Sequence, residues 1–251
     1  MRGAGGVRAV FPIVVLLLLV SFLRAEGKGI SFAFIDPAGV DLQMIGDPPP
    51  EGSSDCRAEI GTLLFLQAGR TPEAAARVAT EREITSEAFS AAVGPWFHAV
   101  NLPKTAALLA AAKGDTEMAA ERAKRLWART PPPKLDRRIH PAFPPPAGSS
   151  YPCADAAVGT VWGFILADLI PEKREGLFVR AAEIGDDQVL AGVRFPSDIV
   201  AGRKLGVELV RRMLEDPQFQ ASLEAARAEV KEAAANKALW AAPVPVPVPI
   251  R

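Results

Sequence analysis

The chain contains few of the residues that cross-link a fold or most often perform catalysis. It has two cysteines, two histidines and one tyrosine among 251 residues. A single pair, Cys56 and Cys153, does not make a disulfide framework, and their spacing gives no support for a bond between them. His98 lies in an aromatic-rich segment typical of packing, and His140 lies in a proline-rich loop typical of a surface. Neither histidine is therefore expected to be catalytic.

The chain also lacks an excess of basic residues and has only one long apolar run. Lysine plus arginine and aspartate plus glutamate each number 29. Residues 1–25 combine Arg2 and Arg8, the apolar run Val10 to Leu23 and the small residue Ala25, which together predict a secretory signal peptide. Its removal takes three arginines and no acid, which leaves a net charge of −3. We therefore predict a periplasmic or secreted protein that binds no nucleic acid and has no membrane span in the mature chain.

Proline clusters divide the rest of the chain. The prolines of residues 26–54 predict an extended leader over a surface, and residues 55–240 have the pattern of a helical domain. Residues 241–251 alternate proline with valine, which favours a polyproline helix and makes this tail a candidate segment for binding a protein partner.

Apolar spacing predicts an all-α, multi-helix bundle, since no stretch alternates as a strand does. Caps and prolines predict helices that begin near Ser54, Thr71, Ser86 and Pro217. Further helices are expected at roughly 154–170, 171–191 and 197–215. The segment from Leu102 to Arg129 is expected to form two helices, broken near Gly114 and Asp115.

Three segments in order resemble the exported bacterial class A acid phosphatases of the type 2 phosphatidic acid phosphatase and vanadium haloperoxidase superfamily. They are Ala123 to Arg129, then Gly148 to Pro152 running into a helix, then Gly192 to Asp198. The resemblance implies an all-helical fold and a phosphatase site without a cofactor. In that family a histidine attacks phosphorus and an aspartate orients it, while a second histidine protonates the leaving oxygen. A lysine, two arginines, a serine and backbone N–H groups hold the phosphate oxygens.

Carried over residue by residue, the resemblance shows that most of these groups have been replaced. Lys124 matches the lysine, but Pro131 stands where the first arginine belongs. Where the family has Pro-Ser-Gly-His, this chain has Pro152, Cys153, Ala154 and Asp155. In the third motif, Asp187 and Gln188 stand where the family has serine and its second phosphate-binding arginine. Arg194 stands where the family has the attacking histidine. The orienting aspartate is retained as Asp198.

These replacements argue against catalysis. A guanidinium stays protonated and has no lone pair with which to attack phosphorus, so Arg194 is no nucleophile. The net charge of the family positions is −1, from the two cations Lys124 and Arg194 and the three acids Asp155, Asp187 and Asp198. A site with this charge should repel a phosphate dianion. We further hypothesise that Asp155 and Arg194 form an ion pair that closes the old pocket.

Three alternatives stay open at this stage. Cys153, at a predicted helix N-terminus that would lower its pKa, could act as a replacement nucleophile, although a small residue filling the space of the serine is the simpler interpretation. His140 could support a rebuilt mechanism. Asp155, Asp186, Asp187 and Asp198 could bind a cation, but Arg194 beside them argues against that, and we predict no metal site.

The predicted function is that of an exported, catalytically inactive acid-phosphatase homologue with a binding or structural role. The alternative is an active periplasmic phosphomonoesterase, or another hydrolase, with a rebuilt site. The ligand, the partner and the oligomeric state are left open by the sequence.

Overall fold

Capping residues and prolines begin most of the helices, as their positions predict. In the computed structural model, which describes residues 32–241, Thr71 caps a helix that starts at Pro72, and Asp216 caps one that starts at Pro217. The α-helices in chain order are α1 (Ser54–Gly69), α2 (Pro72–Thr80), α3 (Ser90–Val93), α4 (Pro103–Trp127), α5 (Pro132–Leu135), α6 (Ala154–Leu169), α7 (Arg174–Leu190), α8 (Pro196–Met213), α9 (Pro217–Ala235) and α10 (Lys237–Ala241). The described residues contain no strand, so the predicted all-α class is confirmed.

Helix α6 occupies the centre of the bundle and packs against α4, α7 and α8. Most of its residues are buried, which explains why its sequence is apolar on every side. Glycines in α8 permit the closest approach. A Cβ at Gly202 would lie 2.3 Å from the Cys153 carbonyl oxygen, and one at Gly206 would lie 2.6 Å from that of Ala157. This close crossing brings the first turn of α8 against the first turn of α6, where the family motifs lie.

The predicted break at Gly114 and Asp115 is wrong, because α4 runs without interruption from Pro103 to Trp127. The buried residues before and after this point share one face, so packing outweighs the low helix propensity of the pair. Asp115 is 1% exposed, and its carboxylate accepts hydrogen bonds from the backbone N–H groups of Ala33, Phe34 and Ile35. The residue that suggested a break is instead the anchor of the leader.

The leader differs from the extended surface segment that its prolines predict. It contains 3₁₀ helices at Pro37–Gly39 and Leu42–Ile45, and it packs against α4 and α8. Val40, Leu42 and Ile45 are buried, so this segment contributes to the core.

Two other helices are shorter than expected. The helix predicted from Ser86 is a 3₁₀ turn, Ser86–Phe89, followed by the four-residue α3. The final helix ends at Ala235, because Asn236 takes an extended conformation before α10. The predicted signal peptide and most of the Pro-Val tail lie outside the described residues. No helix of residues 32–241 is long and apolar enough to cross a bilayer.

Candidate functional site

The family positions converge where α6 and α8 begin, close to the ends of α4 and α7. The Cys153 backbone N–H donates to the Asp198 carbonyl oxygen at 2.9 Å, which joins the two helix starts. The Gln188 carbonyl oxygen accepts from the N–H groups of Val193 and Arg194 at 3.1 and 3.3 Å, which fixes the turn between α7 and α8. These contacts set the backbone of all three motif segments.

A buried arginine that does not belong to the family's ligand set organises one part of this region. Arg129 Nη1 lies 2.6 Å from Asp198 Oδ1 and 2.7 Å from Ser197 Oγ, and its Nη2 lies 2.6 Å from Glu59 Oε2. The other Glu59 oxygen accepts from the Ser197 backbone N–H at 2.6 Å. The guanidinium carbon also lies 4.0 Å above the centroid of the Phe195 ring. We call Arg129, Glu59, Ser197 and Asp198 the Arg129 cluster.

Charges within the Arg129 cluster stabilise one another. Burial by itself lowers the pKa of Arg129, but the carboxylates of Asp198 and Glu59 outweigh this effect and raise it. Burial raises the pKa of Asp198, and Arg129 offsets part of that rise. The second Asp198 oxygen accepts from the Phe195 N–H at 2.8 Å. The retained aspartate is therefore bound by an arginine and a helix start.

Arg194 stands at the position of the attacking histidine and is surrounded differently. It is 1% exposed, and its Nε and Nη1 atoms have no hydrogen-bond partner within residues 32–241. No carboxylate oxygen of those residues lies within 4.0 Å of its guanidinium nitrogens, so the hypothesis of an Asp155–Arg194 ion pair is wrong.

Asp155 lies in the first turn of α6 and is half-buried. Burial raises the pKa of its carboxyl group, and the positive charges of Arg194 and then Lys124 offset part of the rise. These two cations are close enough to act through space without direct contact. Asp155, Arg194 and Lys124 therefore share an electrostatic environment although no two of them form an ion pair.

The other motif carboxylate, Asp187, faces away from Arg194. Its two oxygens lie 2.5 and 2.6 Å from the Nη1 and Nη2 atoms of Arg77, a bidentate pair. Arg180 lies 4.0 Å from the same carboxylate and bridges to Glu81. Gln188, the next residue, is buried at the position of the second family arginine.

Cys153 caps α6 but is unsuited to nucleophilic attack. It is fully buried, and burial, with the nearby charge of Asp155, raises its pKa to about 12. The expectation that the helix N-terminus lowers this pKa is wrong. Desolvation destabilises the thiolate by more than the positive end of the helix dipole stabilises it. Cys153 and Cys56 are both free thiols. Ala154, beside Cys153, is the first residue of α6.

Lys124 lines an open cleft of about 450 Å³, and Arg129 of the Arg129 cluster also lines it. The ammonium nitrogen of Lys124 lies 2.6 Å from Glu121 Oε1, so the retained lysine pairs with an acid of its own helix. Pro131 also lines the cleft and precedes α5. Neither Asp155 nor Arg194 lines this cleft.

The two alternative centres receive no support from the geometry. His140 is exposed, and its backbone N–H donates to Gln67; His98 is buried in the aromatic segment. Asp186 lies 2.8 Å from Arg203, so Asp186, Asp187 and Asp198 each have an arginine partner. No group of three or more metal-ligating side chains comes together in the described part of the chain.

Sequence reasoning missed Arg129 and Arg77, which pair with the motif carboxylates Asp198 and Asp187, and Glu59, which pairs with Arg129. One signal for Glu59 was available. It lies on the same face of α1 as the buried Cys56 and Leu63, and an acid on a buried face requires a partner. When these three residues are added to the motif residues, the eight side-chain charges sum to zero. The four cations are Lys124, Arg77, Arg129 and Arg194, and the four acids are Asp155, Asp187, Asp198 and Glu59. The net charge of −1 predicted for the family positions alone is unchanged, and Arg77, Arg129 and Glu59 together add one positive charge beside them.

Comparison with known proteins identifies relatives of one kind. No protein-family model matches the chain. It is 27% identical over 198 residues to a non-specific acid phosphatase of Salmonella typhi, an alignment that covers 74% of this chain and 78% of that protein. It is 35% identical over 83 residues to a non-specific acid phosphatase of Salmonella typhimurium, and 30% identical over 80 residues to one of Providencia stuartii. These two alignments span about a third of each relative's length, 33% and 32%.

A solved transmembrane PAP2-type phosphatidylglycerolphosphate phosphatase from Bacillus subtilis aligns with a TM-score of 0.48 and 16% identity, over 65% of this chain and 87% of that one. The order of the motifs, their convergence at the starts of α6 and α8 and the sequence relatives agree. The resemblance of this chain to the bacterial non-specific acid phosphatases is confirmed.

Proposed function

We propose that this chain is an exported, non-catalytic relative of the acid phosphatases that keeps a binding role at the altered site. The observation that carries the proposal is the side chain of Arg194. Motif spacing assigns it to the position of the attacking histidine, it is 1% exposed, and two of its guanidinium nitrogens are buried without a partner among residues 32–241.

Arg194 is chemically unable to replace the histidine. Nucleophilic attack on phosphorus needs a lone pair, and a guanidinium that stays protonated at all accessible pH values has none to offer. Cys153, with a pKa raised to about 12, is protonated near neutral pH and fully buried. Asp198 is bound to Arg129 and so is unavailable to orient another group.

The same arginine favours binding of an anion. An unpaired buried cation is strongly destabilising, and charge-assisted hydrogen bonds from a guanidinium to an oxyanion are among the strongest in proteins. The first-turn N–H groups of α6 lie in the same region and add the positive end of a helix dipole. Because Arg194 is so deeply buried, the fitting ligand is a small oxyanion such as inorganic phosphate.

An activity assay tests the first half of the proposal. Purified protein should release no phosphate from a chromogenic phosphate monoester above the buffer rate, from acidic to neutral pH. The double variant Arg194→His, Asp155→His restores the two family histidines and is the matched comparison. Turnover by the natural protein that disappears with Cys153→Ser or His140→Ala would instead support a phosphomonoesterase with a rebuilt site.

Export rests on residues 1–25 and has its own test. The protein recovered outside the cytoplasm should begin close to Glu26 when its N-terminus is sequenced. Recovery of the intact Met1 terminus from the cytoplasm alone would contradict export without affecting the proposal for Arg194.

A further inference from the structure

Asp155 is an acid that lies among cations without binding any of them. It belongs to the first turn of α6 and is half-buried, and within residues 32–241 no other side chain forms an ion pair or hydrogen bond with its carboxylate. The positive charges that act on it are those of Arg194, Lys124 and Lys113, in that order of strength. A carboxylate withdrawn from water needs a partner, and the described residues supply none.

Among these three cations, Arg194 is the one without a partner in the described part of the chain. Lys124 lies 2.6 Å from Glu121 Oε1, and Lys113 lies 3.7 Å from Glu117 Oε1, so each lysine pairs with an acid of α4. Arg194 is 1% exposed, and its Nε and Nη1 atoms donate to no acceptor of residues 32–241. The site therefore holds one unsatisfied cation and one unsatisfied acid.

A ligand that fits this site has to satisfy both charges at once. A metal cation would bind Asp155 but repel Arg194, and no group of three or more metal-ligating side chains comes together in residues 32–241. An oxyanion without a proton would bind Arg194 but repel Asp155, because an ionised carboxylate can only accept hydrogen bonds. An oxyanion with an O–H group accepts from Arg194 and donates to Asp155.

Resting on the proposed function, we propose that Asp155 sets the specificity of the Arg194 site, so that the site takes an oxyanion that carries a proton and rejects one that carries none. Phosphate and arsenate are of the first kind, since each keeps at least one O–H group at neutral and mildly alkaline pH. Sulfate is similar in size and shape, but all of its oxygens are then acceptors. The proton of the ligand therefore decides which oxyanion binds.

The same contact removes the repulsion expected from the motif acids. Asp187 and Asp198 are already bound by Arg77 and Arg129, so Asp155 is the motif acid left to meet an incoming anion. Burial raises the pKa of its carboxyl group, which strengthens its hold on a shared proton. The hydrogen bond from phosphate to Asp155 is therefore charge-assisted, and bonds of this kind are about twice as strong as neutral ones.

Calorimetric titration of the purified protein with sodium phosphate, sodium arsenate and sodium sulfate tests this specificity. The buffer is free of other oxyanions and mildly alkaline, so sulfate has to wait for Asp155 to take up a proton from solvent, whereas phosphate supplies its own. The Kd values for phosphate and arsenate should be similar. The Kd for sulfate should be higher by about 10- to 100-fold, the range expected for one hydrogen bond to a charged group.

Asp155→Asn separates specificity from stability. The neutral amide donates as well as accepts, so sulfate is no longer repelled and its Kd should approach that for phosphate, a loss of about tenfold or more in discrimination. Asp55→Asn is the matched control, because it makes the same change at an exposed acid in the first turn of α1. It should keep the natural preference. A ratio of two affinities measured on one folded protein does not depend on its stability, so a merely structural role of Asp155 would leave the ratio unchanged.

The possible failures of this inference and of the proposed function give different results. Equal affinity of the natural protein for phosphate and sulfate would overturn the specificity and leave the anion site standing. So would arsenate that behaves like sulfate, or an Asp155→Asn variant that still rejects sulfate. Absence of binding by all three oxyanions would overturn the proposed binding role at Arg194, and the specificity with it.

Discussion

Arg129 and Arg194 are both buried within the same group of motif segments, yet their surroundings are opposite. Arg129 is 5% exposed and its guanidinium contacts Glu59, Ser197 and Asp198. Arg194 is 1% exposed, and its Nε and Nη1 atoms have no partner in the described part of the chain. The difference teaches that burial of a charge does not by itself define its role. A charge whose partners come from the chain holds the fold together, whereas a buried charge without them is, under the proposed function, available to a ligand.

The largest effect is expected from Arg129→Met. This change leaves the carboxylates of Asp198 and Glu59 buried without their cation, and breaking a buried pair in this way costs about 3–5 kcal/mol. Urea denaturation should show a correspondingly lower free energy of unfolding. Arg138→Met, which removes an exposed ion pair with Asp136, is the control and should have little effect. Equal stability of the two variants would show that the Arg129 cluster is not structural.

Glu59→Gln should produce a smaller loss. The amide keeps one acceptor oxygen, but its NH₂ group then faces either the Arg129 guanidinium or the Ser197 N–H, both of which are donors. An unsatisfied buried polar contact costs about 1–3 kcal/mol. The same denaturation experiment measures it, with Glu121→Gln as a matched exposed control. A loss confined to Glu121→Gln would contradict the assignment.

Arg194→Met should change stability in the opposite direction to Arg129→Met. In a buffer free of oxyanions it removes an unpaired buried charge, so the variant should gain about 1–3 kcal/mol. Addition of inorganic phosphate should stabilise the natural protein, by about 2.7 kcal/mol at one hundred times the Kd, and should not stabilise the variant. Thermal unfolding with and without phosphate measures both effects. Stabilisation of both proteins by phosphate would remove Arg194 from the binding site.

The smallest effect concerns Asp155 and pH. Because burial raises the pKa of this carboxyl group in the folded chain, its ionised form is less favourable folded than unfolded. The contribution of Asp155 to the free energy of unfolding is therefore largest below the ordinary aspartate pKa of about 3.9. It decreases as the pH rises through the raised pKa of the folded chain. Asp155→Asn removes this dependence, so its Tm relative to the natural protein should increase from acidic to neutral pH. A constant difference in Tm would show that Asp155 titrates as an exposed acid.

Much of the helical structure could be predicted, because caps and prolines act locally. Thr71 and Asp216 mark helix starts through hydrogen bonds to residues three positions along the chain. The predictions failed where distant contacts prevail. Gly114 and Asp115 favour a break locally, but Asp115 is held in the helix while it binds backbone N–H groups about 80 residues away.

The candidate site divides in the same way. The identity of Arg194, Asp155 and Cys153 at the family positions could be read from motif spacing. Their partners could not, since Arg129 and Asp198 are 69 positions apart and Arg77 and Asp187 are 110 apart. The predicted ion pair between Asp155 and Arg194 was wrong for this reason, because the prediction considered only the motif residues.

The sequence by itself determined the helical class and the resemblance to acid phosphatases, and it predicted the loss of the attacking imidazole, since each depends on residue type and local spacing. Only the tertiary structure decided which charges are satisfied. Hydrogen bonding acts over about 3 Å, and the fold alone places Glu59 and Asp198 within that distance of Arg129 while leaving two nitrogens of Arg194 without a partner in the part of the chain that the structure describes.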